Sequence, residues 1–402
     1  MKRGFVKQKN AKFIFHRYIC LFLGFYKQVT IVVNTRLLLP NRLDGIGWFS
    51  YQSLKRITQK HPDVHFIFLF DRPYSDEFIF SENITPMILS PKARHPFLFY
   101  YWMQFSVKPL LNKIKPDLFL SPDGFLALGA KCKQLPVIHD INFVHYPKDL
   151  PFWVRNYYNH FFPKFANEAT RIATVSEFSK KDIAEKYRIN QSNIDVVYNG
   201  ISEHFGSVDE QTKTATKNKF TKGCDYFLFI GSISPRKNII RLIKAFHLFK
   251  KETSSNMKLV LAGAIFWGDS EILTLMKELN LENEIVFTGR VPNEELKNIT
   301  ASAFAMTYLP YFEGFGIPLV EAMQSGIPII AANTSCLPEI AGNAAIYANP
   351  FDENEIKNAM LTLFHDDSLR ETLIKEGSQR KNIFSWDKTA DLLWQSIEKA
   401  VS

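Results

Sequence analysis

Two glutamates separated by seven residues could bind a ligand that is rich in hydroxyl groups. Glu313 and Glu321 enclose the segment Gly-Phe-Gly-Ile-Pro-Leu-Val, which follows a predicted strand. Ionised carboxylates accept hydrogen bonds from hydroxyls, and Gly314 and Gly316 allow the backbone to approach a ligand closely. Pro318 is typical of a first helical turn, whose free N–H groups attract anions such as a diphosphate. The alternative is an ordinary loop-to-helix turn with one capping and one solvated glutamate.

A pair of cations follows a second predicted strand. Arg236 and Lys237 lie in the segment Gly-Ser-Ile-Ser-Pro-Arg-Lys-Asn at 231–238. Positive charge at the start of a helix opposes the helix macrodipole, so an anionic ligand would give this pair a function. The alternative is that water solvates both side chains.

An alternation of apolar runs and helix-sized intervals predicts the elements that position these residues. The run Val-Thr-Ile-Val-Val at 29–33 is typical of a buried parallel strand. Further strands are predicted at 65–70, 117–120, 135–138, 171–175 and 195–198, and helices at 49–60, 152–168 and 179–187.

A polar stretch at 207–219 interrupts this series and predicts a linker or a surface helix at a domain boundary. A second series of strands is predicted at 226–230, 258–262, 284–288, 303–308 and 328–332. Two successive parallel α/β sheets indicate two Rossmann-like domains. Because ligands of such sheets lie beyond the carboxyl ends of the strands, the cleft between the domains is the expected site.

The composition excludes several classes of protein. The chain has 402 residues, enough for two or three domains, with 46 % hydrophobic and 22 % charged residues, which is unlike a disordered chain, a collagen or a coiled-coil rod. The four cysteines form no C-x-x-C pair, which argues against a disulfide scaffold or a cysteine zinc site and favours a reducing cytoplasm.

The charge is concentrated at the amino terminus. Residues 1–28 carry seven of the nine net positive charges and no acidic residue, so the rest of the chain carries only +2. Such a nearly neutral body does not indicate a nucleic-acid partner.

The same segment contains an apolar and aromatic stretch at 13–26, interrupted by His16 and Arg17. It is shorter than the roughly 20 residues that span a bilayer, and no small-residue cleavage site follows it. We expect residues 1–28 either to lie as a basic aromatic helix on an anionic membrane surface or to result from a start codon assigned too early.

Eight motifs in chain order resemble those of family 4 glycosyltransferases. The segment 312–330, with its two glutamates, is similar to the family signature, and 231–238 resembles the family's phosphate-binding loop. The other six are Leu43-Asp-Gly-Ile-Gly47, Val137-Ile-His-Asp140, Thr174-Val-Ser-Glu-Phe-Ser-Lys180, Val197-Tyr-Asn-Gly200, Thr288-Gly-Arg-Val-Pro292 and Leu337-Pro-Glu-Ile-Ala-Gly342. The resemblance extends from residue 29 to the carboxyl terminus.

This resemblance implies the GT-B fold, an α/β architecture of two Rossmann-like domains whose parallel sheets face each other across a cleft. The implied divisions are an extension at 1–28, an acceptor-binding domain at 29–205 and a nucleotide-sugar-binding domain at 206–380. A helix within 381–402 is expected to cross back to the first domain.

The resemblance also implies catalytic roles. Glu313 would contact hydroxyls of the transferred sugar, and Glu321 would bind the ribose of the nucleotide. Arg236 and Lys237 would neutralise the diphosphate of the leaving group. His139 would face the donor sugar near the reacting carbon, unless it is a hydrogen-bonded core histidine.

Further donor-binding positions implied by the resemblance are Gly45, Gly47, Ser232, Arg290, Val291, Gly314, Phe315 and Gly316. The loop at 45–47 would close the acceptor side, and the backbone at 290–291 would lie beside the base. Many relatives have arginine where this chain has Ser232, so Arg236 is expected to supply the second positive charge.

Membership of this family implies transfer with retention of the anomeric configuration. The acceptor hydroxyl would attack the face that the nucleotide leaves, and the diphosphate would take the proton. The chain has no Asp-x-Asp motif for a metal, and Lys237 and Arg236 would replace the ion. We therefore expect no cofactor and no divalent metal.

The motifs look closest to those of bacterial mannosyltransferases that build surface polysaccharides, so GDP-mannose is the expected donor, with UDP- and ADP-sugars left open. The expected acceptor is a glycan, free or lipid-linked. The expected location is the cytoplasm, with peripheral attachment to the inner membrane face.

Two other functions stay open at this point. A nucleotide-dependent oxidoreductase or epimerase is suggested by Gly45-Ile-Gly47 with Asp71 ending the next strand. Against it, a long segment separates the first strand from these glycines, and the third glycine position is Ser50. A non-catalytic, glycan- or membrane-binding relic of the fold would be expected to lack some of the catalytic residues, all of which are present.

Overall fold

Parallel β-strands form the framework of the chain in the computed structural model, which describes residues 28–40, 43–93, 95–264 and 269–402. The strands are β1 (Thr30–Asn34), β2 (His65–Phe70), β3 (Ile84–Ile88), β4 (Leu118–Ser121), β5 (Lys133–Pro136), β6 (Ile172–Thr174), β7 (Ile194–Val196), β8 (Tyr226–Ile230), β9 (Lys258–Ala262), β10 (Ile285–Gly289), β11 (Ala305–Tyr308), β12 (Ile329–Ala332) and β13 (Ala345–Ala348).

Helices connect and cover the strands. They are α1 (Gly45–Lys60), α2 (Pro96–Tyr101), α3 (Lys108–Ile114), α4 (Asn142–His145), α5 (Phe152–Glu168), α6 (Glu177–Tyr187), α7 (Glu210–Thr221), α8 (Ile239–Thr253), α9 (Asp269–Glu278), α10 (Asn293–Ala301), α11 (Ile317–Ser325), α12 (Leu337–Ala341), α13 (Glu353–His365), α14 (Asp367–Arg380) and α15 (Trp386–Val401). A π-helical segment at Trp102–Val107 joins α2 to α3.

The first sheet has the order β3-β2-β1-β4-β5, and all its pairs are parallel. The parallel pair β6-β7 is attached to it through a bridge between Val137 and Ala173. Successive side chains of β1 point to opposite faces, so Ile31 and Val33 enter one apolar core while Val32 enters the other. Burial on both faces explains why this strand is a continuous apolar run.

The second sheet has the order β10-β9-β8-β11-β12-β13, again with parallel pairs throughout. The chain moves outward from β8 to β10 and then returns to the other side of β8, where β11 begins. The carboxyl ends of β8 and β11 therefore flank a topological switch point, and those of β1 and β4 flank the equivalent point in the first sheet. Two Rossmann-like parallel domains are confirmed.

The last helix returns to the first domain. Arg56 on α1 pairs with Asp387 on α15 at 3.2 Å, and the ring of His61 stacks on Trp394 with centroids 3.5 Å apart. The buried side chains of α15 include Leu393. The helix that follows the second domain in sequence thus covers part of the first.

Some elements differ from the sequence prediction. Strands β3 and β13 were not predicted: both lie at a sheet edge, Thr85 and Pro86 interrupt the apolar residues of β3, and β13 is a run of only four residues, two of them alanine. The predicted helix starting at Phe49 begins instead at Gly45, because the Asp44 carboxylate caps it by accepting from the Gly47 N–H at 3.0 Å. The polar stretch after residue 206 contains helix α7.

The expectations for residues 1–28 fall almost wholly outside the described residues. Among the helices that the structure describes, none is long and apolar enough to cross a membrane.

Candidate active site

The carboxyl ends of β8 and β11 bring together the cation pair and the first glutamate. Arg236 and Lys237 lie in a short 3-10 turn after β8, and Glu313 lies in the loop between β11 and α11. The two segments are far apart in sequence, but their strands are neighbours in the sheet. The switch point of the second sheet therefore creates the cluster.

These side chains form a buried ionic cluster. The Lys237 ammonium donates to Oε1 of Glu313 and, at 2.8 Å, to the Tyr308 hydroxyl. The Arg236 guanidinium contacts the same Glu313 oxygen at 2.8 Å and donates to the Phe312 carbonyl at 2.7 Å. The Tyr308 hydroxyl donates to Glu313 Oε1 at 3.1 Å. One carboxylate oxygen thus receives bonds from three side chains.

The electrostatics of the cluster keep Glu313 ionised. Burial by itself would raise the pKa of this carboxyl, but the charges of Arg236 and Lys237 outweigh burial and lower the pKa to about 2. Burial lowers the pKa of the Lys237 ammonium, and the Glu313 charge opposes that change. Asp140 of the first domain also acts on both cations. An anionic ligand would favour the charged form of Lys237 in the same way.

Local turns fix the direction of the cations. Asn238 has a left-handed backbone (φ 61°), which ends the 3-10 turn and starts α8. Its side-chain amide donates to the carbonyls of Leu309 (3.1 Å) and Pro350 (2.6 Å). These bonds tie the turn after β8 to the end of β11, so Lys237 points to Glu313 rather than to water.

The loop after Glu313 packs against the first domain. A Cβ at Gly314 would collide with the carbonyl oxygen of His139, so this position needs glycine for the close approach. The Gly314 carbonyl accepts from the Ser176 hydroxyl at 2.7 Å. Gly316 has φ 84°, a left-handed conformation that favours glycine, and serves as the N-cap of α11. The signature loop therefore contacts both domains.

His139 lies on the opposite side of this contact, directly after the strand region that contains Val137. Its Nε2 is 2.9 Å from the carbonyl oxygen of Pro122, and its ring packs edge-on against Phe49 at 5.0 Å. Burial lowers the pKa of the imidazole, which favours the neutral ring at neutral pH. The structure therefore holds His139 in one orientation at the carboxyl edge of the first sheet.

Further bonds join the domains beside the site. The Glu339 carboxylate on α12 accepts from the backbone N–H groups of Glu177 (2.8 Å) and Phe178 (2.9 Å) at the start of α6. The Tyr311 hydroxyl donates to Asp149. These contacts hold the facing edges of the two sheets together on either side of Gly314.

Glu321 lies apart from the ionic cluster. It sits one turn inside α11, and no hydrogen bond joins its side chain to another described residue. Burial raises the pKa of this carboxyl to about 8, so the group is mostly neutral at neutral pH. Glu313 and Glu321 share one sequence motif, but at neutral pH Glu313 is ionised and Glu321 is mostly neutral.

The other predicted residues line the cleft more loosely. Exposed Arg290 reaches across it, with Nη2 3.5 Å from the Leu43 carbonyl, next to Gly45 and Gly47 at the start of α1. Ser232 is exposed after β8, whereas Val291 and Phe315 pack against the apolar core. A cavity of about 740 Å³ lies beside Arg290, between α1 and the start of α15.

Tyr308 is the main functional residue that the sequence analysis missed. It is the last residue of β11, its ring stacks near Phe229, and its hydroxyl bridges Lys237 and Glu313. The signal that could have found it is its position at the carboxyl end of a strand beside the switch point. Ser176, the N-cap of α6, also donates a hydrogen bond to the Gly314 carbonyl.

Within the residues that the structure describes, no three His, Cys, Asp or Glu side chains lie close enough together to hold a metal ion. The positive groups at the site are side chains, Arg236 and Lys237.

Comparison with known proteins supplies the family. The family model "Glycosyltransferase Family 4" matches residues 27–205, and the model "Glycosyl transferases group 1" matches residues 210–380. The chain belongs to the family 4 glycosyltransferases. The oxidoreductase and epimerase alternatives, and that of a non-catalytic relic, are therefore set aside.

Individual relatives of this glycosyltransferase agree with that assignment. It is 27 % identical to the O-antigen chain mannosyltransferase B of Escherichia coli over 86 % of this chain and 93 % of that protein. It is 30 % identical to the O-antigen chain mannosyltransferase RfbU of Salmonella typhimurium, over 56 % of this chain and 60 % of that protein.

A solved structure confirms the fold. The glycosyltransferase superposes on HepE of Anabaena, crystallised with UDP and glucose, with a TM-score of 0.70 at 16 % identity, covering 92 % of this chain and 100 % of that one. The GT-B fold expected from the motifs is confirmed.

Proposed function

We propose that this glycosyltransferase transfers mannose from GDP-mannose to a hydroxyl of a growing surface glycan, with retention of configuration. The observation that carries the proposal is the buried cluster of Lys237, Arg236 and Glu313 against the His139 edge of the facing sheet. The mannosyltransferase relatives support the choice of sugar.

The cluster suits a leaving nucleoside diphosphate. The cations of Lys237 and Arg236 would bind the diphosphate oxygens and stabilise the negative charge that develops as the glycosidic bond breaks. Glu313, held ionised by the same cations, would accept hydrogen bonds from sugar hydroxyls. A nucleotide sugar bound in this way would have its phosphates beside the two cations and its sugar hydroxyls beside the carboxylate.

The transfer step needs no protein nucleophile. The acceptor oxygen forms the new bond to the anomeric carbon on the face from which the diphosphate leaves, and the acceptor proton passes to a diphosphate oxygen. His139 would border the sugar as a neutral ring held by its contact with Pro122. The residues then act by positioning and charge stabilisation, with the two cations in place of a divalent metal.

The nucleoside end of the donor would extend towards Arg290 and the adjacent cavity. Glu321 would bind the ribose hydroxyls, and the start of α1 at Gly45 would close the cleft on the acceptor side. The acceptor is proposed to be a lipid-linked or growing glycan of surface polysaccharide synthesis, by analogy with the O-antigen relatives.

Calorimetric titration of the purified protein tests this function. The donors are GDP-mannose, UDP-glucose, UDP-N-acetylglucosamine and ADP-glucose, and the variants are Lys237→Ala and, as a control, Lys244→Ala on α8, whose side chain is exposed and pairs with Glu353. We expect tight binding of GDP-mannose alone, lost in Lys237→Ala and kept in Lys244→Ala. Binding of a different donor would refute the mannose assignment, and equal binding by both variants would refute the role of the cluster.

A further inference from the structure

Six exposed aromatic rings lie together on the outer side of the first domain. They come from α2, the π-helical segment and the start of α5, and we call them the aromatic surface: Phe97, Tyr100, Tyr101, Phe105, Phe152 and Trp153. Phe97 and Trp153 are 64 % and 63 % exposed, more than any other large apolar side chain in the described part of the chain. Water-soluble proteins rarely expose such a patch without a partner.

Ring contacts place these residues in two groups on segments that pack against each other. The rings of Phe97 and Trp153 join α2 to α5 with centroids 6.2 Å apart. Tyr101 and Phe105 pack at 5.0 Å, and Phe152 and Trp153 at 5.3 Å. A second ring contact, Tyr100 with Phe161 at 5.1 Å, also joins α2 to α5, so both groups lie on one pair of packed segments.

The same two segments carry positive charge only. No Asp or Glu lies between Glu82 and Asp117, where five Lys and Arg residues occur, or between Asp149 and Glu168, where two occur. None of the cationic side chains of these segments that the structure describes, Lys92 among them, forms an ion pair with a described residue. One of these cations, Arg155, lies over the Phe152 ring at 5.2 Å, and no Asp or Glu in the described part of the chain pairs with it.

This combination fits an anionic lipid surface. Tyr and Trp rings prefer the boundary between lipid chains and water, and nearby Lys and Arg are attracted to acidic headgroups. We propose that the aromatic surface docks the glycosyltransferase on an anionic phospholipid membrane. The proposal concerns described residues and is separate from the expectation for residues 1–28.

The position of the surface connects it to the cleft. Three residues before Phe152, Asp149 accepts a hydrogen bond from Tyr311 in the loop that carries Glu313, and Tyr146 packs on Tyr311 with ring centroids 4.4 Å apart. An acceptor held in the membrane would therefore enter the cleft from this side. That consequence rests on the proposed function, whereas membrane binding itself does not.

Co-sedimentation of the full chain with vesicles tests the docking surface. One set of vesicles contains phosphatidylglycerol in phosphatidylcholine, and the other contains phosphatidylcholine alone. The test variant is Phe97→Ser/Trp153→Ser, and the matched control is Leu273→Ser/Ile383→Ser, which removes two exposed apolar side chains from other parts of the surface. Thermal unfolding of each variant verifies that it is folded.

We expect binding to the anionic vesicles only, reduced about tenfold or more in Phe97→Ser/Trp153→Ser and unchanged in the control. Transfer to a water-soluble acceptor should be unchanged in both, so failure of docking and failure of the proposed transfer are distinguishable. Absence of vesicle binding by the wild type would overturn the proposal. Equal binding by the test variant would assign attachment to residues 1–28 and also overturn it. A lipid-free dimer that the test variant loses would instead make the surface an interface between copies.

Discussion

At the equivalent edges of the two sheets an arginine pairs with a buried carboxylate, but the two edges balance charge differently. At the switch point of the first sheet, the Arg36 Nε lies 2.5 Å from the Asp123 Oδ2, and the other Asp123 oxygen accepts from Asn34 at 2.8 Å. At the switch point of the second sheet, two cations share the single carboxylate of Glu313.

We interpret the cluster of the first sheet as structural and that of the second sheet as a candidate binding site. One cation faces one carboxylate in the first sheet, and the Arg36 guanidinium lies against the rings of Phe99 (4.3 Å) and Phe125 (4.9 Å). In the second sheet two cations face the single negative charge of Glu313. One positive charge is therefore available to a group across the cleft, either Asp140 or the phosphates of a donor. The same topological position thus holds a paired charge in one domain and, in the proposed function, would bind a ligand in the other.

The first prediction concerns stability: breaking the balanced Arg36–Asp123 pair of the first sheet should change it the most. Asp123→Ala leaves the Arg36 cation buried without its partner, which should lower the free energy of unfolding by about 3–5 kcal/mol. Urea denaturation measures this loss. The double variant Arg36→Met/Asp123→Leu removes both charges and should recover most of it. A loss below about 1 kcal/mol in the single variant would show that the pair is not a stabilising unit.

The second prediction removes the unbalanced charge. In Lys237→Met, Arg236 still pairs with Glu313, so we expect little change in the free energy of unfolding. Loss of one cation at the leaving group should lower the transfer rate about 10²- to 10³-fold. Transfer assays with the preferred donor and urea denaturation measure the two effects. A large loss of stability with normal transfer would reverse the comparison between the two edges.

The third prediction concerns how the second cluster stabilises the fold at low pH. The pKa of Glu313 is about 2 in the folded protein, against a usual value of 4.5. Since the unfolded chain binds more protons between these values, the stabilisation is complete above pH 4.5 and is lost as the pH falls towards 2. Its size is on the order of 3 kcal/mol. Urea denaturation over this range should show a smaller loss in Glu313→Gln than in the wild type; parallel curves would contradict the pKa shift.

The smallest predicted effect concerns the unpaired Glu321. Its pKa of about 8 keeps it mostly protonated at neutral pH. If ribose hydroxyls donate to the ionised carboxylate, donor binding should lower this pKa and release up to about one proton. Calorimetry in two buffers of different ionisation enthalpy measures the release, and Glu321→Gln should abolish it. The same release in the variant would place its source elsewhere.

Much of the fold could be predicted because strands buried on both faces are continuous apolar runs. This applied to β1, β2 and β8 but not to β3, whose apolar residues are interrupted by Thr85 and Pro86, or to β13, a run of only four residues. The start of α1 was placed too late, since its first residues are glycines and the Asp44 cap acts only through geometry. Edge position by itself did not prevent prediction, because the edge strands β5 and β10 were predicted.

Residue types and local spacing were enough to assign the family and the two-sheet plan, and to select Glu313, Lys237 and Arg236 as the candidate charged groups of the site. Tertiary contacts, which no local pattern shows, bring Tyr308 into the cluster. They also leave Glu321 apart from it, in a buried position that raises its pKa. They alone join Phe97 to Trp153 in the aromatic surface. A pKa value or a surface patch depends on which side chains, distant in sequence, lie close together in space. The crossovers of the chain between the strands decide which side chains these are.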